Sequence, residues 1–338
     1  MSRSTWILIV LLAASLAWAY ASTTKQAITP GREALETIWT VPATAIKKVE
    51  YRSGATRVAV SVTARKEGQG NYLWVEGEGL QQRQPPPQRK KGRQPPPPPA
   101  SEEPTQDAFM GGQQAQKFLE EMAALQAVRV LGPSKNFKLE DFGLGGAEKS
   151  TLVIERDGGA PLRLELGAIT AGNATRYALS GVDDKVYLVR NGNWRSITNV
   201  RRFMDRELFP FPVQEAQRVE IQDGGRKLTM HRLSVAQTEP NKWARSPQDK
   251  AGDPALQEIF NSLLRIKTLR YAAADTVSKA NPDLTVTLVK DGATSGTLRL
   301  FPEQKGEVVA VSTYTERPVT LNVALAKALL DKTRAALK

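Results

Sequence analysis

Three places in this 338-residue chain combine residue types that do chemistry in other proteins. The first is Gly143-Leu144-Gly145-Gly146-Ala147-Glu148-Lys149-Ser150, one residue away from a phosphate-cradling loop. In such a loop small residues let backbone N–H groups close around phosphate, and a helix follows. Here Glu148 stands where the second glycine belongs and would repel the ligand, and a β-forming run begins at Thr151. The segment reads as a turn. The second place is His231, the single histidine, set among β-formers. One imidazole can serve as a general base, but the chain has no cysteine and no G-x-S-x-G around any serine. A structural or solvated histidine is expected, and scattered carboxylates beside it give no metal-ligand cluster. The third is Asp183-Asp184, which suggests a hard cation or paired acid–base work. Adjacent residues in a tight turn point apart, so a hairpin tip is expected instead. No catalytic, cofactor-binding or metal-ligating residue is assigned.

Cationic side chains offer a different chemistry. Arg195, Arg201, Arg202 and Arg206 cluster near one expected helix, and Arg89, Lys90, Lys91 and Arg93 lie in one loop, in a run free of acids. Both are candidate sites for anionic lipid, cell-wall polymer or an acidic partner. Against this, Asp205 and Glu207 would balance a merely solvated helix face. The loop, residues 81–104, holds nine of the chain's 21 prolines and is expected to be polyproline II without a packed core. It reads as a ligand for a proline-reading domain, an electrostatic tether, or a tolerated flexible loop. The net charge of +12 also suits nucleic acid, but export removes that partner and no reader motif is present. No small-molecule substrate is identified.

The elements that must position these residues are written twice. Trp74 is matched with Trp243 at an offset of 169, the run Phe118, Leu119, Met122, Arg129 with Ile259, Phe260, Leu263, Arg270 at 141, and Asp157-Gly158 with Asp291-Gly292 at 134. Offsets that fall in steps while the order holds are what duplication followed by loop insertion leaves. Alternation predicts strands at 46–51, 57–63, 71–75, 151–156, 162–166, 176–180, 186–190, 218–222, 227–235, 284–290, 297–301 and 308–314. Amphipathic spacing predicts helices over 30–39, 113–130 and 199–208, one starting at Asp253-Pro254, and one capped by Asn322. The expected fold class is α+β: two tandem copies of a mostly antiparallel sheet-plus-helix unit after an N-terminal apolar helix. The expected divisions are a leader at 1–24, a first repeat at 35–211 carrying the insert, and a second at 212–338.

The leader directs the body out of the cytoplasm. Arg3 precedes an apolar stretch from Trp6 to Ala21, whose sixteen residues make about 24 Å of helix against a hydrocarbon core of ~30 Å. Trp6, Trp18 and Tyr20 suit an uncleaved anchor with interfacial rings, while Ala19-Tyr20-Ala21 suits a cleaved signal peptide. The preferred reading is a single-pass inner-membrane anchor with the body facing the periplasm; the other is a secreted or periplasmic protein.

With these elements in order, the chain resembles a bacterial family of envelope-anchored proteins whose domain is catalogued as one of unknown function. The residues that carry the likeness are Asp141-Phe142-Gly143-Leu144, Leu164-Glu165-Leu166-Gly167, Arg176-Tyr177-Ala178, Val186-Tyr187-Leu188-Val189 and Asp205-Arg206-Glu207-Leu208-Phe209-Pro210-Phe211. In the second copy Phe301 replaces the glycine that ends the second hairpin. The resemblance implies association with gliding-motility-type ABC transporter auxiliary proteins, and it transfers a fold and a location but no catalytic residue. The functional expectation is a non-enzymatic envelope protein, a scaffold or accessory binding subunit of a membrane complex with protein partners there. The alternative is a binding module for anionic cell-wall polymer or lipid.

Overall fold

The computed structural model describes residues 35–65, 70–79, 107–146, 149–195, 197–233, 242–273, 276–277, 281–304 and 306–338. The expected N-terminal apolar helix, the proline-rich loop with Arg89, Lys90, Lys91 and Arg93, and Glu148 lie outside them. Among the described residues no helix is long and apolar enough to cross a membrane.

Ten strands make the first sheet: β1 (Glu36–Thr40), β2 (Ile46–Ser53), β3 (Thr56–Ala64), β4 (Asn71–Glu78), β5 (Asp107–Gly111), β6 (Ala124–Pro133), β7 (Ser150–Arg156), β8 (Leu162–Ile169), β9 (Thr175–Ser180) and β10 (Lys185–Arg190). Their order is β1-β6-β10-β9-β8-β7-β2-β3-β4-β5. Eight make the second: β11 (Arg218–Asp223), β12 (Arg226–Leu233), β13 (Lys242–Ala244), β14 (Thr268–Tyr271), β15 (Leu284–Lys290), β16 (Ala293–Leu300), β17 (Val308–Ser312) and β18 (Val319–Leu321). Their order is β13-β12-β11-β15-β16-β17-β18-β14. Helix α1 (Gln113–Ala123) covers the first sheet, and α2 (Pro254–Arg265) and α3 (Val323–Ala336) cover the second.

The α+β expectation is corrected: strands take 46% of the residues, in two large antiparallel sheets with three helices. Three mistaken helices account for much of the difference. Residues 124–130, read as the end of a helix, belong to β6, because pairing with β10 and burial of Leu125 and Ala127 outweigh local helix preference. The C-terminal half of the 30–39 helix is β1, with Ile38 and Trp39 buried. The helix at 199–208 is a kinked 3-10 stretch, Ile197–Phe203, followed by extended chain.

The pairing registers of the two sheets correspond strand for strand. Tyr51 opposes Val58 and Leu152, as Ile221 opposes Leu228 and Val286. Leu164 opposes Ser180 as Leu298 opposes Ser312, and Ala178 opposes Tyr187 as Ala310 opposes Val319. Even an irregularity recurs. The β6–β10 ladder skips a residue between Ala127 and Arg129, and the β14–β18 ladder between Thr268 and Arg270. One-residue bulges of this kind bend a strand at a set place. Strands β1 and β5 are additions to the first sheet.

This register corrects the tryptophan match. Leu73 opposes Val62, and Trp243 opposes Arg232, so the counterpart of Trp243 is Leu73 and that of Trp74 is Ala244. A shift of one residue turns a side chain to the opposite face. Trp243 accordingly lies in the second core, its ring 4.4 Å from that of Phe260 on α2, while Trp74 lies on the face of the first sheet away from α1. Helix α2 begins as its sequence predicts: the Asp253 side chain accepts from Ala255 N at 2.8 Å, with Pro254 in the first turn. Such a cap contributes about 1 kcal/mol.

Trp243→Ala is expected to cost about 3–5 kcal/mol and to accelerate amide exchange across β11–β13 and α2. Trp74→Ala is expected to leave exchange in those elements unchanged, and hydrogen exchange read by mass spectrometry checks both.

Candidate functional site

The junction of the two sheets is built by the chain that joins them. Past Phe203 the backbone runs extended between β5, the edge of the first sheet, and β14, the edge of the second. On one side Gly112 N donates to Phe203 O at 2.7 Å, Asp205 N donates to Met110 O at 2.8 Å, and Met204 bridges to Gly111. On the other, Thr268 N donates to Arg206 O at 2.9 Å and the Ser312 hydroxyl donates to Leu208 O. Glycine makes the close fit: a Cβ on Gly112 would lie 3.2 Å from Asp205 Cα, and one on Gly296 would lie 2.6 Å from Pro210 Cδ. Gly296 opposes Leu288 as Leu162 opposes Ile154, so a leucine of the first sheet becomes glycine where the connector crosses β16.

Side chains close the same seam. Tyr314 Oη donates to Asp205 Oδ2 at 2.7 Å, and Glu207 N donates to Oδ1 at 2.9 Å. Arg65, at the end of β3, donates to Tyr314 O at 2.9 Å and to Glu316 at 3.2 Å, its guanidinium between the rings of Tyr72 and Tyr314. Trp74 meets Tyr271 edge-on at 5.9 Å and carries Arg317 on its face at 3.8 Å. Tyr271 packs against both cores. Burial first, then the bond to Asp205, pushes the Tyr314 hydroxyl above its ordinary value; burial does the same for Tyr271. Both stay protonated donors.

A cleft of about 840 Å³ opens beside this seam, lined by Tyr72, Asn281, Arg299, Phe301, Glu316 and Arg317 among others. A smaller one of about 410 Å³, with Arg65, Gly112, Asp205 and Tyr314 on its walls, lies on the other side of Tyr72.

Away from the seam each sheet carries the same ionic device on its outer face. Glu50 of β2 receives Lys48 at 2.6 Å, Arg57 at 3.1 Å, and Arg52. At the corresponding place Glu220 of β11 receives Arg218 at 3.1 Å and Lys227 at 2.9 Å. Burial alone would raise the Glu50 carboxyl, but hydrogen bonds from Lys48, Arg57 and Arg52 outweigh it and bring it to about 2.

The arginines singled out in the sequence do not share a helix face. Arg195 ends a single helical turn, Gly192–Arg195; Arg201 and Arg202 sit on the 3-10 stretch; Arg206 belongs to the connector. Arg201 is held by Asp107 at 2.8 Å, while Arg202 and Arg206 are exposed. His231 lies half-buried on β12 opposite Arg218. Asp183 and Asp184 form a hairpin tip, accepting from Tyr187 Oη and Ser134 Oγ at 2.6 Å each, with Asp184 left-handed at φ 54°. Of the phosphate-loop look-alike, the described residues are a turn and bend at Gly143, Gly145 and Gly146, and Ser150 opens the strand β7 where a phosphate loop would need a helix. Its Gly143, at φ 68°, caps a 3-10 turn packed against β8, where a Cβ on Gly167 would lie 2.2 Å from Phe142 O. Among the described residues no group of three or more His, Cys, Asp or Glu could hold a metal. Missed altogether were Arg65, Tyr271, Tyr314 and Arg317; Tyr271 and Arg317 meet Trp74, the one residue of the group that the sequence singled out.

With the connector at its centre, the stretch from 112 to 284 matches a family described as a domain of unknown function, DUF4340. The chain belongs to this family. The matched stretch covers just over half the chain and runs from the cap of α1, through the connector, to the first residue of β15. The segment Asp205–Phe211, which carried the resemblance in the sequence, thus lies in the connector within the matched stretch. No curated protein and no solved structure matches the chain.

Two outcomes are expected. Gly296→Ala places a methyl group 2.6 Å from Pro210 and 2.9 Å from Phe209, and should cost about 1–3 kcal/mol in denaturant unfolding. The Glu50 carboxyl is depressed in the folded state, so its stabilisation is complete above the ordinary value of 4.5 and is lost as pH falls toward about 2. About 2–3 kcal/mol should disappear across that window, and Glu50→Gln should flatten the loss, as urea midpoints measured against pH will show.

Proposed function

We propose that this DUF4340 protein is a non-enzymatic envelope protein, held to the inner membrane by its N-terminal apolar segment with its body in the periplasm. It serves as a scaffold or accessory binding subunit of a membrane complex. An ABC-type transporter is the class of assembly that the resemblance to gliding-motility auxiliary proteins suggests.

One observation carries the non-enzymatic reading. General acids and bases work best with pKa values near the operating pH. Among the described residues, every carboxyl, tyrosyl and lysyl group with a displaced pKa is displaced away from neutrality: Glu50, Asp183, Glu220 and Glu258 downward, Lys47, Lys290, Lys327, Tyr187, Tyr271 and Tyr314 upward. In each the cause is burial, a hydrogen bond or an ion pair, which supports a structural role over proton exchange. A body so pinned suits a rigid platform for partners.

The alternative, a module for anionic polymer or lipid, draws on Arg202 and Arg206, which are exposed and have no ion pair among the described residues. It predicts binding that weakens steeply with salt.

Proximity crosslinking in the native cell tests the preferred reading. Recurrent capture of subunits of one membrane complex, and loss of that complex on deletion, are expected. A complex left intact by deletion, with no neighbour captured, would remove the scaffold role, and a C-terminal reporter facing the cytoplasm would remove the location.

A further inference from the structure

The two sheets differ most where the larger cleft opens. In the first sheet 19 residues connect the register position of Val130 to β7, and this loop folds back on β8. Its Leu144 is buried, and Gly167 at the end of β8 leaves room for Phe142 and Leu144. Beside it Glu165 pairs with Lys149 at 3.0 Å. The place is filled and neutral.

In the second sheet 12 residues connect the equivalent Tyr271 to β15. The position of Gly167 is taken by Phe301, that of Glu165 by Arg299, and that of Lys185 by Arg317. The packed loop is replaced by a cleft of about 840 Å³, within the range of small-molecule sites. The acid–base pair is replaced by Asp283 and Arg299 with the charges exchanged, and Arg299 has no ion pair among the described residues. Arg317 is also without an acid there and is held over Trp74. Among the described residues the one carboxylate on the wall, Glu316, is engaged by Arg65 at 3.2 Å. Phe301, Val311 and Pro318 supply apolar wall. A shortened loop, a reversed charge and an enlarged apolar residue all change the same spot.

From the juxtaposition of Arg299 and Arg317 with the Phe301 wall, we infer that this cleft binds a small amphipathic anion: a phosphate monoester or carboxylate attached to an apolar body. The guanidinium groups take the anionic head, as arginine does for phosphate and carboxylate, and the wall takes the apolar body. The site is separate from the connector arginines and does not depend on the accessory-subunit role.

Calorimetric titration of the full-length chain with octyl phosphate, octanoate, octanol and inorganic phosphate tests it. Saturable one-to-one binding is expected for octyl phosphate or octanoate, at least about tenfold tighter than for octanol or inorganic phosphate. Arg299→Gln, at an exposed strand position, should weaken it about tenfold, whereas Arg202→Gln should leave it unchanged. Arg317→Gln should weaken it too, and a thermal melt shows whether that variant keeps its fold after losing the contact with Trp74. Absence of binding, octanol binding equally well, or octyl phosphate binding unaltered by Arg299→Gln would each overturn the inference. Binding confined to vesicles with anionic lipid and insensitive to Arg299→Gln would assign the attraction to the membrane surface, and would overturn it too.

Discussion

Everything in the arrangement of this protein rests on one strip of backbone satisfying two sheet edges at once. An unpaired strand edge exposes a row of N–H and C=O groups ready for another chain. Here the edges β5 and β14 meet, and the connector at 203–208 lies between them, bonding to Gly112 and Met110 on one side and to Thr268 and Ser312 on the other. Main-chain groups make most of these bonds, so the contact sets a spacing more than a chemistry. The side chains then fill the angle left between the sheets: Asp205 with Tyr314, Arg65 with Glu316, Trp74 with Tyr271 and Arg317. Remove the strip and those pairs have nothing to hold them in register.

The correspondence between the sheets shows which features belong to the ancestral unit and which to its use. Shared are the core ladders, the bulge before Arg129 and Arg270, the outer-face carboxylates Glu50 and Glu220, and the left-handed residues Asp184 and Glu316 at matching hairpin tips. These specify folding. Differences gather at the seam and at its cleft: the added β5, Gly296 under the connector, Trp74 in place of alanine, Arg299 in place of an acid. Apart from β1 at the far edge and the helix α3, the copies of this duplicated scaffold diverge most where they meet.

Much of this was legible in the residues, and the failures have physical causes. Strands with clean alternation, such as Arg57–Thr63, and turns with a glycine at positive φ, such as Gly54 and Gly224, are local signals and are present as expected. So are the caps Asp253 and Asn322. Residues 124–130 were misread, because Leu125 and Ala127 continue the spacing of α1 while their backbone is claimed by a strand some sixty residues away. The tryptophan match failed by one position because a bulky ring carries no mark of which sheet face it occupies. The seam was invisible for a related reason: Arg65 and Glu316 are 251 positions apart, and no local pattern records that they touch.

The backbone character of the connector has one more consequence. Strip-to-edge bonds of this kind are blind to which molecule supplies the edge, so the same bonds would form if β5 of one chain met β14 of another through an exchanged connector. In this structure one chain supplies both edges, with the connector between them. A change in the length of this hinge is therefore the kind of alteration that favours exchange of halves between two chains.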